Sequence, residues 1–353
     1  MALTSIMASW AEEHGVLVGA ARVPAEATTS SSKPPYTRIA PGEWRALQEA
    51  GARWVICVAV PIKHLPEALP GELRGQSLPT DGEKAPTGVI ARYASRQDYH
   101  QFIATLLMEL KGRLERQVGR PIGGFVSVDN GPLADKRWAF RAGLGHWAPN
   151  TLIWTPQYGT WVHLGELAVD VDLPGVVEAV PLPRALMVNG EGQPCSRCGR
   201  CVSSCPTGAL VEPYALDPER CLSYLTQRRG LVPEDMRPFF EDRLWGCDRC
   251  QEACPANPRL ALPDDSPPTI KLEPLINLDR KQFQDWLGQT AMNWKGHQVL
   301  RRNAAIVLGN RGSSQALPWL KSLAQDPSPV VSAHARWALA AVEAKLGQEQ
   351  SQA

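Results

Sequence analysis

Residues 195–206 read CSRCGRCVSSCP, and this stretch decides how the middle of the chain folds. Four cysteines fall within eleven residues, spaced C-x2-C-x2-C-x3-C, and a proline follows the last. That run is the spacing of two-cluster [4Fe–4S] domains, in which the fourth cysteine ligates the other cluster. Downstream, CDRCQEACP (247–255) repeats the last three cysteines and the proline. The place of its missing first cysteine falls on Leu244, which cannot ligate. Cys221, in PERCLSYLT, is the only cysteine of the region left to complete the set. Cross-ligation then gives one cluster Cys195, Cys198, Cys201 and Cys254, and the other Cys205, Cys221, Cys247 and Cys250. Zinc is the alternative, but a zinc ribbon takes two CxxC pairs separated by a longer loop, and here the pairs overlap. The ninth cysteine, Cys57, stands in the apolar run RWVICVAVP and reads as a small buried residue of a strand.

The bounds agree with an intracellular redox protein. The chain has 353 residues, enough for two or three domains, with 44% hydrophobic residues and a net charge of +1. A balance so near zero names no partner, so any anion site must be local. The opening MALTSIMASWAEEHG has no basic segment leading into an apolar run, and it reads as an amphipathic helix. No stretch approaches the ~18 consecutive apolar residues of a membrane span. A cytoplasmic monomer is expected, in a compartment where clustered cysteines bind metal more often than they form disulfides.

Working outward from the cysteines, residues 1–23 read as helical and VPAEATTSSSKPPYTRIAP (23–41) as a loop. A strand is expected at 53–60 and a long surface loop at 61–88. YHQFIATLLMELKGRLERQVG has helical spacing, with Phe102, Leu106, Leu107, Leu110 and Leu114 roughly on one face. PIGGFVSVDNGP reads as a strand running into a turn, and NTLIWTPQYGTWVHLGELAVDVDL as strands turning at Gly159. The expected fold is α+β. Residues 1–180 form an α/β domain, 181–262 a ferredoxin-like double-cluster domain and 263–353 a helical region. In the last, Ala304 aligns with Ala335 and Leu308 with Leu339 at an offset of 31, which suggests HEAT-like repeats or, equally, a plain helical bundle.

Two motifs are set aside. GLGHWA (143–148) fits G-x-G-x-x-A, but a helical segment precedes it and Pro149 follows, the reverse of a dinucleotide site. DYHQFI (98–103) resembles the start of D-x-H-x-x-G, whose histidine ligates cobalamin from below, but residue 103 is Ile and the segment runs into a helix.

With those residues in place, the chain resembles the epoxyqueuosine reductases. IARYASRQDYH (90–100) is similar to that family's I-A-R-Y-A-x-G-x-D-Y-H, and VDNGPLADKRWAFRAGLG (128–145) to its V-D-[TS]-[GA]-P followed by A-G-L-G. CSRCGRCVSSCPTGAL, CLSYLTQRRG and WGCDRCQEACPANP follow its cluster region in order, and LRRNAAIVLGN its R-N-A segment. The resemblance implies a cobalamin-dependent reductase with two [4Fe–4S] clusters that converts epoxyqueuosine to queuosine in tRNA. It implies an N-terminal cobalamin domain, with Asp129 as proton donor and Asp98, Asp129, Asn150, Ile153, Leu164, Ser223 and Asp248 as cofactor-binding residues. Burial after GFVSV is expected to raise the Asp129 carboxyl; from the residues alone, Asp129 also reads as a turn residue capping DNGP. Arg229, Lys295, Arg301 and Arg302 are expected to meet the tRNA anticodon region, or else to form a solvated charged face. An unidentified low-potential electron donor is implied.

The chain departs from the family pattern at HWAPNT (146–151), where a W-x-G-K-[HN]-T is usual, at CPAN (254–257) for C-P-W-N, and at Arg96 for a glycine. Two other readings therefore stand. One is a corrinoid iron–sulfur reductase acting on a small molecule or another corrinoid protein. The other is a ferredoxin-like electron carrier joined to a helical binding module.

Overall fold

The structure, a computed structural model, describes residues 2–25, 39–75, 86–175, 198–257 and 266–352. Helix α1 (Leu3–His14) ends on Gly15, which takes the left-handed conformation at φ 64°. The helix expected over 1–23 therefore stops early. The small and branched residues that follow form strand β1 (Leu17–Arg22) instead, paired antiparallel with β2 (Trp54–Pro61) beyond α2 (Pro41–Glu49). Strand β2 is buried along its whole length, as its unbroken apolar run requires. Next come β3 (Thr87–Ile90), α3 (Tyr99–Val118), β4 (Gly124–Ser127), α4 (Asp135–Arg141), the short pair β5 (His146–Trp147) and β6 (Ile153–Trp154), and β7 (Val162–Val169).

The main sheet has the order β1-β2-β7-β4 and is antiparallel at every pairing, so the N-terminal region is α+β in the strict sense. Helices α1 and α3 cover one face, where Trp10, Leu107 and Leu110 meet Ile56, Val58 and Leu167. Helices α2 and α4 cover the other, where Leu47 and Trp138 meet Val55, Cys57 and Ala168. On α3 the buried stripe is Ile103, Leu107, Leu110 and Leu114, with Phe102 and Leu106 partly covered. Residues 61–75 are not the expected surface loop. Leu65, Leu69 and Leu73, spaced by four, are buried and bridge two cores.

The cluster region supplies α5 (Arg200–Ser203), β8 (Leu210–Glu212), β9 (Ala215–Leu216), α6 (Leu222–Gln227), β10 (Arg243–Trp245) and α7 (Arg249–Glu252). The C-terminal region opens with β11 (Thr269–Lys271) and continues through α8 (Leu272–Asn277), α9 (Arg280–Leu287), α10 (His297–Arg311), α11 (Leu317–Leu323) and α12 (Pro329–Gln352). A second sheet, β10-β3-β11, takes one strand from each of the three regions and so locks them together. The expected boundaries near 180 and 262 lie outside the described residues.

Helix α10 is central rather than superficial. All of Arg302–Gly309 is buried, and a Cβ on Gly309 would stand 2.7 Å from that of Ala338 on α12. Ala304 and Ala335, the positions matched by the repeat, are both fully buried. Among the described residues no helix is long and apolar enough to cross a membrane.

Candidate active site

The loop after β4 is folded back on itself and then held. Ser127 Oγ accepts from the Leu133 N–H at 3.3 Å, and a Cβ on Gly131 would collide with that oxygen at 2.1 Å, so glycine is required there. At the loop's apex Asp129 takes φ 53°, a conformation few residues other than glycine adopt. Its N–H donates to Asp135 Oδ2 at 2.9 Å. Its carboxylate is half exposed.

Helix α3 delivers a partner to that carboxylate. Asp98 caps the helix by accepting from the His100 N–H, and its Oδ1 lies 2.7 Å from His100 Nδ1. The other ring nitrogen, Nε2, lies 3.2 Å from Asp129 Oδ2. With a carboxylate at each nitrogen, the ring holds both protons. Burial lowers the His100 pKa, but the hydrogen bonds to Asp129 and Asp98 outweigh it and raise the imidazole to about 9. The expectation for Asp129 is thereby reversed. The hydrogen bond from His100 outweighs burial, and the Tyr99 hydroxyl, donating at 2.9 Å, adds to it, so the Asp129 carboxyl is lowered. His100 is not a free metal ligand either, because both ring nitrogens are taken. His163, from β7, stacks on Tyr99 with ring centroids 3.9 Å apart and is partly buried; desolvation, then the His100 charge, lower it to about 3. Trp294, from the C-terminal region, donates its indole N–H to Asp98 and leans over His100 at 4.5 Å.

Asp129 lies on the walls of two cavities. The first, about 520 Å³, is lined by the apolar Leu133, Leu152, Ile153, Val162 and Leu164 and by Tyr99, Lys136 and Arg137. The second, about 570 Å³, shares Asp129, Lys136 and Leu152 and is walled by Cys205, Cys221, Cys247 and Cys250, with Asn150, Ser223 and Lys295. Lys136 lines both cavities with Asp129, and burial lowers its ammonium pKa. A third, small cavity is lined by Cys198, Cys201 and Cys254. Apart from Cys57, buried in β2, the described cysteines thus divide into the same two groups as cross-ligation requires; Cys195 lies outside the described residues. Burial pushes Cys247 up to about 11 and Cys250 higher still, while hydrogen bonds from Thr207 and the backbone bring Cys205 down despite its burial.

Other expected residues land elsewhere. Asp248 is buried and accepts from the Arg92 N–H at 2.7 Å, and burial raises it to about 6; it ties the cluster region to the end of β3. Asp98 orients His100. Arg229 and Lys295 are exposed. Arg301 is ion-paired with the buried Asp326. Arg302 is corrected outright. Fully buried, it donates to the carbonyls of Arg228 at 2.7 Å, Gly230 at 2.8 Å and Leu225 at 3.0 Å, and so cannot reach a phosphate. Asp135 begins helix α4 and also accepts the Asp129 N–H, and burial raises it to about 6. Reading the sequence missed Tyr99, Lys136, His163 and Trp294. The Y-H of DYH was the one signal present, weighed as a cobalamin ligand and quoted within IARYASRQDYH for the family resemblance.

The proton-bearing His100–Asp129 pair beside two sets of clustered thiols has the make-up of an iron–sulfur oxidoreductase. The comparisons carry the class further. Residues 194–257 match the 4Fe-4S double cluster binding domain, 285–353 match HEAT repeats, and 46–130 match the family described as Epoxyqueuosine reductase QueG, DUF1730. The helical region is therefore HEAT-like. An epoxyqueuosine reductase of Pseudomonas aeruginosa is 37% identical over 281 residues, covering 77% of this chain and 73% of its own. One from Bacillus anthracis is 32% identical over 298 residues, covering 82% and 73%. The crystal structure of an epoxyqueuosine reductase with a tRNA-Tyr epoxyqueuosine-modified stem loop superposes with a TM-score of 0.76 at 27% identity, covering 96% of this chain and 90% of that one. The chain belongs to the epoxyqueuosine reductase family.

Proposed function

We propose that this protein reduces epoxyqueuosine in tRNA to queuosine, with two [4Fe–4S] clusters and cobalamin as its cofactors. One observation carries the reading: Asp129 is a common wall of the first cavity and of the cavity ringed by four cysteines. The reaction removes an epoxide oxygen as water and consumes two electrons and two protons. The double-cluster domain accounts for electrons passed singly. Cys198, Cys201 and Cys254, with Cys195, would hold one cluster, and Cys205, Cys221, Cys247 and Cys250 the other.

The first cavity's mixture of apolar side chains (Leu133, Leu152, Ile153, Val162, Leu164) and polar ones (Tyr99, Lys136, Arg137) fits the apolar body and polar periphery of a corrinoid. Bound there, cobalamin would supply the redox chemistry of a metal centre that accepts electrons singly. Ile153 and Leu164 would contact it from the sheet, and Asn150 and Ser223 from the cluster side. Asp129 and His100 together hold a proton at neutral pH, on the imidazole and hydrogen-bonded to the carboxylate, ready for the departing oxygen. Asp98 and Trp294 fix the ring that carries it. Lys295, which lines the second cavity, and the exposed Arg229 would meet phosphates, and the half-exposed Trp294 offers a face on which a base can stack. An unidentified low-potential donor would supply the electrons to a monomeric, cytoplasmic enzyme.

The test is anaerobic incubation of cluster-loaded protein with cobalamin, a one-electron reductant and epoxyqueuosine-containing tRNA, read by nucleoside mass spectrometry. Queuosine is expected. Unchanged nucleoside from protein that retains both clusters and cobalamin would overturn the reading.

A further inference from the structure

Beneath the Asp129 loop lie two acids with no part in the proton-donor scheme. Glu166 stands in β7, opposite Cys57 of β2 and Ser127 of β4. It shares the sheet face of Ala168, which packs against Trp138 and Ala139 of α4, and it is fully buried. Asp135, at the start of α4, reaches the same place. Among the described residues no donor meets either carboxylate oxygen of Glu166 or Oδ1 of Asp135. The remaining oxygen, Asp135 Oδ2, takes the Asp129 N–H.

The surroundings oppose two ionised carboxylates. The largest charges acting on Glu166 are those of Asp135, of Glu43 from α2 and of Asp129 in the loop, all acidic, and the one ammonium at hand, that of Lys136, acts on Asp135. Glu43 is itself engaged by Arg137 and by the Trp138 indole N–H, so it has no proton to lend. Burial, and then Asp135, push the Glu166 carboxyl well above its usual range. A proton placed between the two acids supplies the missing donor for both.

We propose that Glu166 and Asp135 form an acid pair sharing one proton, and that this pair positions Asp129 for the reduction by holding the loop in its left-handed turn. Glu166 carries the proton and donates to Asp135 Oδ1. That leaves Asp135 Oδ2 free to accept from Asp129. The proton is structural: it stays between the two acids while the one on His100 is spent. The inference rests on the proposed reaction for its kinetic consequence but not for the protonation itself.

Two measurements separate these. Infrared spectra of the cluster-loaded protein at neutral pH should show a carboxylic-acid carbonyl band that disappears in Glu166→Gln. The band should also disappear in Asp135→Asn, whose amide supplies the donor and leaves Glu166 ionised. A band unchanged by both substitutions would overturn the shared proton whether or not the protein turns over tRNA. In the kinetic arm, Glu166→Ala should lower kcat by roughly 10–100-fold, the scale of a misplaced reacting group. Its tRNA affinity and iron content should match the parent, and Glu166→Gln, which keeps a donor, should restore most of the rate. Equal kcat in Glu166→Ala and parent would overturn the positioning role. Should Glu166→Ala fail to take up its clusters, Glu166→Leu, which fills the volume without a donor, takes its place under the same criterion.

Discussion

Asp129 and His100 lie 29 residues apart in sequence, yet each sets the other's protonation. Asp129→Asn keeps the volume and removes the carboxylate that holds the imidazolium. Turnover should fall by roughly 10²-fold or more, the usual scale for general acid catalysis, with clusters and tRNA binding retained. Asp285→Asn, an exposed acid paired only to Lys281 on α9, is the control and should match the parent. The pair also sets a pH window. The His100 pKa is raised in the folded protein, so its stabilising effect is complete below the ordinary imidazole range and is lost as pH rises through about 9. Thermal melts of parent and His100→Gln should therefore differ most near pH 6 and converge above pH 9, with activity falling over the same alkaline limb. A constant difference across that range would refute the charged pair. The cysteines were legible in the sequence because their spacing is local and their count closes at eight. The Asp98–His100–Asp129 arrangement was not, because it depends on a turn, a helix start and Trp294, which lies 196 residues from Asp98.

At the scale of elements, charge misled where packing decided. LRRNAAIVLGN was expected to carry two phosphate-binding arginines. Surrounded by α6, α8, β10, α11 and α12, helix α10 has little solvent face, and Arg302 became its link to carbonyls in and just after α6. Arg302→Leu should destabilise the fold by about 1–3 kcal/mol for each carbonyl left without a donor, seen in denaturant titration, and should leave the salt slope of tRNA binding unchanged. Arg229→Ala and Lys295→Ala should do the opposite. Each lost phosphate contact should flatten the slope of log affinity against log salt by roughly 0.7–0.9, with unfolding unaltered. If Arg302→Leu alone flattens the slope, the interface has been drawn on the wrong elements. Helix α3 and strand β2 were legible because their periodicity reflects one buried face or two. The strand at 17–22 was not, since its pairing partner lies more than 30 residues away.

Across the whole molecule, the sheet β10-β3-β11 makes the cluster region part of the wall of the N-terminal cavity rather than a separate bead. No single segment of sequence discloses that, because it takes one strand from each region. The iron should follow the same division: about eight atoms per chain after anaerobic reconstitution, on a two-cluster assignment, and about half in Cys221→Ser, with the cluster of Cys198, Cys201 and Cys254 intact. Electrons would then have no route past Cys205, Cys247 and Cys250 to the cavity shared with Asp129. The decisive measurement is anaerobic conversion of epoxyqueuosine-containing tRNA, with cobalamin and reductant, by parent and Cys221→Ser side by side. Queuosine should form with the parent alone, while both proteins bind the tRNA equally. Conversion by Cys221→Ser at the parent rate, or none by a parent holding both clusters and cobalamin, would contradict a reduction carried out at that shared cavity.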